Sequence, residues 1–362
     1  MPELPEVETI KRIIEPQVRG LVIKKAEVRR PEVVAYPSAD EFCGLLKGQT
    51  ISGVERRGKF LIIRLSSDDR MILHLRMTGC LLLAPAGCPE EKHTHVVFYF
   101  DNGTELRFSD TRRFGRWWLL KNGEMDHYSG INRLGMEPLD QELTAEYLSA
   151  CLGKRKKAIK ECLLDQGVVA GIGNIYSDEI LFAAGIFPAR PAKSLNKNEW
   201  ERLAFAISER ISYFIEKNRT TPEDYWETKG RDYRNTPFLQ VYGQAGKACP
   251  KCGETLCRIV VGGRSSVYCP VCQQADVGPM TVDGTDVFLL WHIHDLEDDF
   301  GTHEEEKLIG VFSSEGKAEE AIELLKGKEG FRDFPVTCFE IHKMRVDRTG
   351  WTDGFRTVRW RE

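Results

Sequence analysis

The amino-acid sequence predicts a multidomain α+β protein. It comprises an N-terminal helix leading into an antiparallel β-sandwich, a helical domain, a β-hairpin zinc finger and a small C-terminal α/β domain. Three observations carry this prediction. Strand-like runs bounded by turn signals fill residues 21–122, helical periodicity takes over across 138–217, and two Cys-x2-Cys knuckles frame residues 249–272. The expected boundaries are 1–130 for the sandwich domain, 131–244 for the helical domain, 245–275 for the zinc finger, 276–284 for a linker and 285–362 for the tail domain.

Taken in order, residues 1–20 place Val7, Ile10, Ile13 and Ile14 on one helical face. Runs at 21–23, 60–63, 71–73 and 96–100 read as strands, with Asp101-Asn102-Gly103 as a turn. Helices are expected over 142–152, 158–166, 175–184 and 197–217, followed by a polar loop over 218–240. The tail reads as a strand over 287–291, an acidic loop carrying His292, His294 and His303, a strand over 308–312, a helix over 317–326 and further strand. Ser313-Ser314 fits a helix cap.

Hydrophobic residues make up 41% and charged residues 29% of the chain, the composition of a globular protein. No apolar run reaches the ~20 residues that span a bilayer. The first twenty residues lack the pattern of a secretory signal, so the expected location is cytoplasmic. Eleven cysteines in such a chain favour reduced thiols and metal ligands over disulfides. The net charge of −4 hides a division: residues 281–362 hold 11 Lys and Arg against 19 Asp and Glu, and the remainder carries a net +4. An acidic tail masks a basic body, and the position of the cations matters more than their sum.

Cys249-Pro-Lys-Cys252 and Cys269-Pro-Val-Cys272, sixteen residues apart, suit one tetrahedral Zn²⁺ held by four thiolates. Four thiolates leave no open position, so this zinc is structural. The intervening hairpin turns at Gly262-Gly263 and offers backbone amides and Arg264 to a phosphate.

The start, Met1-Pro2-Glu3-Leu4-Pro5-Glu6, has two readings. With Met1 removed, Pro2 is a free secondary amine able to form a Schiff base, beside a Glu3 able to move protons. The alternative is an ordinary helix start, with Pro and Glu in its first turn. Gly167, Gly171 and Gly173 precede a helix near Asn174. Their turn forms an anion site at a helix N-terminus or simply a tight corner. Asp110-Thr-Arg112-Arg113-Phe114-Gly115-Arg116 suits a loop that grips a nucleic-acid backbone and inserts an aromatic into the base stack; it also suits a strand edge with solvated arginines. His74-Leu-Arg76-Met77-Thr78-Gly79 places Met77 on a turn, as a core filler or an exposed wedge. Lys154-Arg155-Lys156-Lys157 opposes the dipole of the helix it begins, which suits an anionic partner, although such a run is more often a solvated face.

Together these motifs resemble the bacterial formamidopyrimidine-DNA glycosylase family, enzymes that remove 8-oxoguanine and ring-opened purines. The resemblance runs from Pro2 to about Gln273. It rests on the Pro-Glu-Leu-Pro-Glu start, Arg57-Gly58-Lys59-Phe60, His74-Leu-Arg-Met77, His93-Thr-His95, Arg112-Arg113-Phe114-Gly115, Gly-Ile-Gly-Asn174, Leu239-Gln240-Val241-Tyr242-Gly243 and the knuckles. It implies a helix–two-turn–helix in the helical domain and duplex DNA, bearing an oxidised base or abasic site, in the cleft beside it. Pro2 would attack C1′ and Glu3 act as acid and base, with Lys59 and Arg264 at the proton-donor positions for β,δ-elimination. Met77, Arg112 and Phe114 would fill the gap left by a flipped nucleotide. His74, His93, Arg155 and Asn174 would contact DNA. The implied protein is a monomer of the bacterial nucleoid.

The family's loop over the flipped base usually begins Gly-Gly. Here it reads Lys217-Asn218-Arg219-Thr220-Thr221, and the stretch to Thr236 is also unfamiliar, which bears on lesion preference. An oxidised-pyrimidine enzyme of the same superfamily is disfavoured by Leu4 where it carries a glycine, and a non-catalytic damage-binding zinc-ribbon protein by intact Pro2, Glu3, Lys59 and Arg264. The tail faintly resembles a small uncharacterised α/β domain. Its acidity disfavours DNA contact and suggests a regulatory or protein-binding role.

Overall fold

The computed structural model describes residues 2–85, 87–230, 235–275, 286–298 and 301–345. The chain divides into two compact units, 1–276 and 277–362.

The first unit opens with helix α1 (Leu4–Val18). The sandwich strands follow: β1 (Ile23–Val28), β2 (Val34–Tyr36), helix α2 (Ala39–Leu46), β3 (Ile51–Arg57), β4 (Phe60–Leu65), β5 (Arg70–His74), β6 (Gly79–Pro85), β7 (Thr94–Phe100), β8 (Thr104–Asp110) and β9 (Arg116–Leu120). They form a four-stranded sheet ordered β1-β7-β8-β6 and a five-stranded sheet ordered β2-β9-β5-β4-β3. Pairing is antiparallel except between β2 and β9, which run parallel. Ile10, Ile14 and Val18 of α1 pack with Leu61, Ile63, Phe98 and Trp117 in one core.

Helices α3 (Ala145–Leu152), α4 (Ile159–Leu163), α5 (Asn174–Ala184), α6 (Lys197–Lys217) and α7 (Pro222–Glu227) make the helical domain. Its separate core includes Leu4 from α1 together with Tyr176, Ile180, Leu203, Ile207 and Phe214. The expected helix over 158–166 ends at Leu163, because Asp165 turns the chain by accepting from the Gly167 amide at 3.0 Å. The expected polar loop over 218–240 is corrected. It contains α7, whose start is signalled by Thr221 accepting from the Asp224 amide and by Pro222 in the first turn.

The zinc-knuckle hairpin pairs β10 (Cys257–Val261) with β11 (Arg264–Tyr268). It is fastened to the helices by a buried ion pair. Lys160 Nζ donates to Asp178 Oδ1 at 2.6 Å and to Ser265 O at 3.0 Å, while Asp178 also accepts from Ser266 Oγ at 2.5 Å and the Val267 amide at 3.0 Å. Burial pushes the Lys160 pKa down and the Asp178 pKa up, and their pairing opposes both shifts.

The second unit is a three-stranded sheet, ordered β13-β12-β14, from β12 (Asp286–Asp298), β13 (Gly301–Phe312) and β14 (Phe339–Arg345), with helix α8 (Glu315–Leu325) capped by Ser314. The expected acidic loop is overturned: β12 and β13 run on as one long hairpin. His292 and His294 alternate along β12 and are buried, packed on Phe334 and, for His292, on Phe331 and Phe339. The expected linker over 276–284, the His303 side chain and the Trp351–355 stretch lie outside the described residues.

Both partners of the Lys160–Asp178 pair are fully buried. Replacing Asp178 by Ala strands an ammonium in the interior and should lower unfolding stability by about 3–5 kcal/mol. Urea unfolding followed by hairpin fluorescence or zinc release checks this; an unchanged midpoint would contradict it.

Candidate active site and nucleic-acid interface

Glu3 is fully buried at the junction of the two cores. Its Oε2 accepts from the Gly173 amide at 2.7 Å and the Tyr176 amide at 3.4 Å, and its Oε1 from the Ile175 amide at 3.0 Å. These are the unpaired donors at the start of α5, where the helix dipole also favours an anion. The Gly-Ile-Gly-Asn174 turn is thus an anion site whose anion is Glu3 itself. Gly173 is required by this approach, since a Cβ there would lie 2.3 Å from the Glu3 carboxyl carbon.

Pro2, also buried, immediately precedes this anchor. The Glu3 amide donates to Glu6 Oε2 at 2.7 Å, and Tyr176 Oη and Asn235 Nδ2 both close on Glu6 Oε1. Burial pushes the Glu6 pKa up to about 7; the Tyr176 hydrogen bond opposes this and the Glu3 charge adds to it. Glu6 therefore exchanges a proton near neutrality, a position from which it can relay or hold one.

A pocket of about 600 Å³ opens in front of Gly173, lined by Lys59, His74, Met77, Phe114, Asn174 and Arg264 among others. Lys59, at the β3–β4 turn, donates to Ile172 O at 3.0 Å. Burial lowers its pKa, Glu3 and Glu6 oppose that, and Arg264 adds to it. Arg264 stands at the start of β11, where the hairpin tip is seated tightly: a Cβ on Gly262, at φ +56°, would lie 2.6 Å from Glu161 Cγ. Asn174 Nδ2 donates to Ser265 O at 3.2 Å, linking the α5 turn to the same hairpin. The structure therefore brings Glu3, Lys59, Asn174 and Arg264 together from four separate elements.

On the opposite wall, Met77 and Phe114 are 42% and 46% exposed, so neither is core. Arg112 Nη1 donates to Met77 Sδ at 3.0 Å, and its guanidinium lies 4.8 Å from the Phe114 ring centre. Asp110, fully buried, builds this wedge: its carboxylate accepts from the Arg112 amide at 3.1 Å, from the Gly115 amide at 2.7 Å and from Thr78 Oγ1. His74 Nδ1 accepts from the Arg76 amide at 3.0 Å, which leaves Nε2 to donate. Burial, with Arg76 and Lys59 nearby, pushes its pKa down to about 3, so the ring is neutral at working pH.

Two residues expected to contact DNA do not line this pocket. His93 lies on the turn before β7, where its carbonyl accepts from the Asp110 amide at 3.0 Å, and it does not line the pocket. Arg155 is paired with Asp165 at 2.7 Å and donates to Cys151 O, bracing the turn after α4. A separate cavity, about 270 Å³, is lined by Glu6, Ile175, Asn235, Leu239 and Tyr242 among others. Glu179 accepts from the amides of Gln240, Val241 and Tyr242 and so fixes that wall.

Sequence reasoning missed Glu6, Asp110, Asp178 and Glu179. Glu6 had a signal, its i+3 spacing from Glu3, which is that of a capping box. Asp110 also had a local signal, since it accepts from the amides of Arg112 and Gly115 within its own loop, whereas the partners of Asp178 and Glu179 are distant in sequence and left none.

The four thiolates of Cys249, Cys252, Cys269 and Cys272 all lie within 4.8 Å of one another. Two of the separations, 3.9 and 3.4 Å, bracket the about 3.8 Å expected around a tetrahedral zinc. The amides of Lys251 and Cys272 point at Cys249 and Cys269 Sγ, each at 3.4 Å, as in zinc knuckles. The all-sulfur donor set fits one structural Zn²⁺.

A helix-anchored amino terminus, a basic pocket with an aromatic wedge and a zinc hairpin define a DNA glycosylase of base excision repair. Family profiles agree part by part. The formamidopyrimidine-DNA glycosylase N-terminal domain matches residues 1–117, its H2TH domain 134–224, the zinc finger found in FPG and IleRS 246–275, and a domain of unknown function (DUF7336) 286–355. The formamidopyrimidine-DNA glycosylase of Moorella thermoacetica is 49% identical over 72% of this chain and 94% of its own, and that of Desulforamulus reducens 46% identical over 76% and 100%. Among solved structures, MutM in complex with DNA containing carbocyclic 8-oxo-G aligns with TM-score 0.69 at 36% identity. Lactococcus lactis Fpg with abasic-site DNA aligns with TM-score 0.69 at 35% identity; each alignment covers 76% of this chain and 100% of the other. The chain belongs to the formamidopyrimidine-DNA glycosylase family. No helix among the described residues is long and apolar enough to cross a membrane.

Because the hairpin that carries Arg264 depends on the knuckles, removing zinc should abolish duplex binding. A mobility-shift titration of chelated against zinc-loaded protein checks this; equal affinity in fully zinc-free protein would refute a structural role for the ion.

Proposed function

We propose that this chain is a bifunctional DNA glycosylase/AP lyase that excises oxidised purines, 8-oxoguanine and formamidopyrimidines, from duplex DNA through the amine of Pro2. The observation that supports it most is Glu3, locked on the α5 amides beside the amino terminus and behind the pocket that holds Lys59 and Arg264.

Removal of Met1 frees the Pro2 nitrogen, a secondary amine that attacks in its neutral form. Its lone pair bonds to C1′ as the glycosidic bond breaks, and the departing base takes a proton from solvent. The Glu3 carboxylate takes the proton that the now cationic nitrogen sheds and passes it to the ring oxygen, so that the C1′–O4′ bond breaks, the sugar opens and the iminium forms. Loss of a C2′ proton expels the 3′ phosphate, and a second elimination expels the 5′ phosphate. Lys59, with its lowered pKa, and Arg264 stand where they can donate to or steady the departing groups.

The wedge of Met77, Arg112 and Phe114 fills the gap left by the extruded nucleotide and offsets an unstacking cost of a few kcal/mol. Neutral His74 donates through Nε2 to backbone phosphate, as does Asn174 after local rearrangement. The cavity of about 270 Å³ beside Glu6 takes the extruded base, with the neutral or ionised Glu6 carboxyl within reach of its edge. His93 and Arg155, which lie outside the pocket, are assigned to contacts with DNA beyond it. The enzyme is proposed to act as a monomer in the bacterial cytoplasm, at the nucleoid. Its acidic tail domain is assigned to protein contact or regulation.

Borohydride trapping on duplexes carrying 8-oxoguanine, with a parallel panel of oxidised pyrimidines, tests this reading. The expected result is a covalent adduct strongest with the purine and absent in a protein that retains a blocked amino terminus. No adduct from protein whose Pro2 is shown free by mass spectrometry would sink it.

A further inference from the structure

The sheet of the tail domain has one face that the domain's own core does not cover. Side chains alternate along β12. Phe288 and Leu290 face α8 and pack with Ala318, Ile322 and Phe339. The outward positions of an antiparallel sheet with one covered face are normally polar, because water covers them. Here they are Val287, Leu289, Trp291 and Ile293. Directly opposite residues share a face, so Leu308 and Val311 on β13 and Met344 on β14 extend the same patch. Leu308, Val311 and Met344 are 50%, 57% and 44% exposed, and none of these outward residues belongs to the core. A contiguous apolar patch of this kind marks an interaction site. Carboxylates flank it: Glu306 stands opposite Ile293, and Glu340 opposite Trp291.

We propose that residues 346–362, which follow β14 directly and lie outside the described residues, cover this face through Trp351, Phe355 and Trp360. Two observations point to this occupant. The first is reach. Arg345 ends β14 next to Met344, at the edge of the patch. Trp351 is six residues beyond Arg345, a link that spans up to about 20 Å. Met344 and the level of Trp291 are four strand residues apart, about 13 Å. The second observation is charge. Residues 286–345 hold 7 Lys and Arg against 15 Asp and Glu, while 355–361 carry Arg356, Arg359 and Arg361 and no acid. One segment thus supplies aromatic side chains for the patch and guanidinium groups for Glu306 and Glu340. The profile of unknown function runs to residue 355, so Trp351 and Phe355 fall within the same domain as the sheet. A second copy of the chain would bring the same acidic flank against this one. Tethering gives the segment a local concentration on the order of millimolar, so a protein partner reaches this face only by displacing it. The inference is independent of the enzymatic reading above.

The test places the photocrosslinking residue p-benzoylphenylalanine at Leu308 of the full chain and maps the adduct by mass spectrometry. The expected product joins position 308 to residues 346–362 of the same chain. It should run as a monomer on a denaturing gel, with a yield unchanged over an about tenfold range of protein concentration. The same probe at Leu324, exposed on α8, controls for the tether alone and should give about tenfold less adduct. Val311 carries the probe if the change at 308 disturbs β13. Adducts that join two chains, adducts to residues 1–276, equal yields from positions 308 and 324, or no adduct from either 308 or 311 would overturn the inference.

Discussion

The structure depends on one buried contact, the Glu3 carboxylate on the first amides of α5. A carboxylate accepting from backbone amides at a helix start gains charge-assisted hydrogen bonds worth about 1.5–3 kcal/mol each, along with the helix dipole. Here that contact joins two domains. Leu4 lies in the helical core, while Val7, Ile10 and Ile14 of the same helix lie in the sandwich core. The amino terminus is therefore fixed against both, one residue before the anchor. The glycines at 171 and 173 follow from the same constraint: at each, a Cβ would collide with Leu4 or Glu3.

The pattern recurs around the site. Asp110 gathers the amides of the wedge loop, Asp178 ties α5 to the hairpin that carries Arg264, and Glu179 gathers the amides of 240–242. Each carboxylate is buried and each holds a loop bearing a group for the pocket. These carboxylates are turned inward onto backbone donors, while Lys59, Arg76, Arg116 and Arg264 face the open pocket and make it basic.

How much of this was legible in the sequence follows from the range of each interaction. Local patterns were read well. The hydrophobic face of α1, the uninterrupted helix 197–217 and the Cys-x2-Cys spacing all report on neighbours within a few turns. Thr221-Pro222 is an equally local signal, obscured by the polar segment around it. The histidines of β12 are obscured for a related reason. Acidic neighbours suggested a loop, whereas the period-two alternation of 290–294 marks a strand with one buried face. What the sequence could not supply were contacts between residues more than a hundred positions apart. Glu3 with Ile175 and Glu6 with Asn235 turned an apparent external anion site into an internal anchor. The pairing of Arg155 with Asp165 likewise became visible only once α4 and its following turn were placed.

The most direct test of this account is amide hydrogen exchange at Gly173, Ile175 and Tyr176 in the native chain and in Glu3→Ala. If Glu3 closes the start of α5, these three amides exchange in the wild type as slowly as the helical core, and in the variant they lose that protection while Leu181 and Ile207 keep theirs. Equal protection of the three amides in both proteins would contradict the claim that the amino terminus is anchored there.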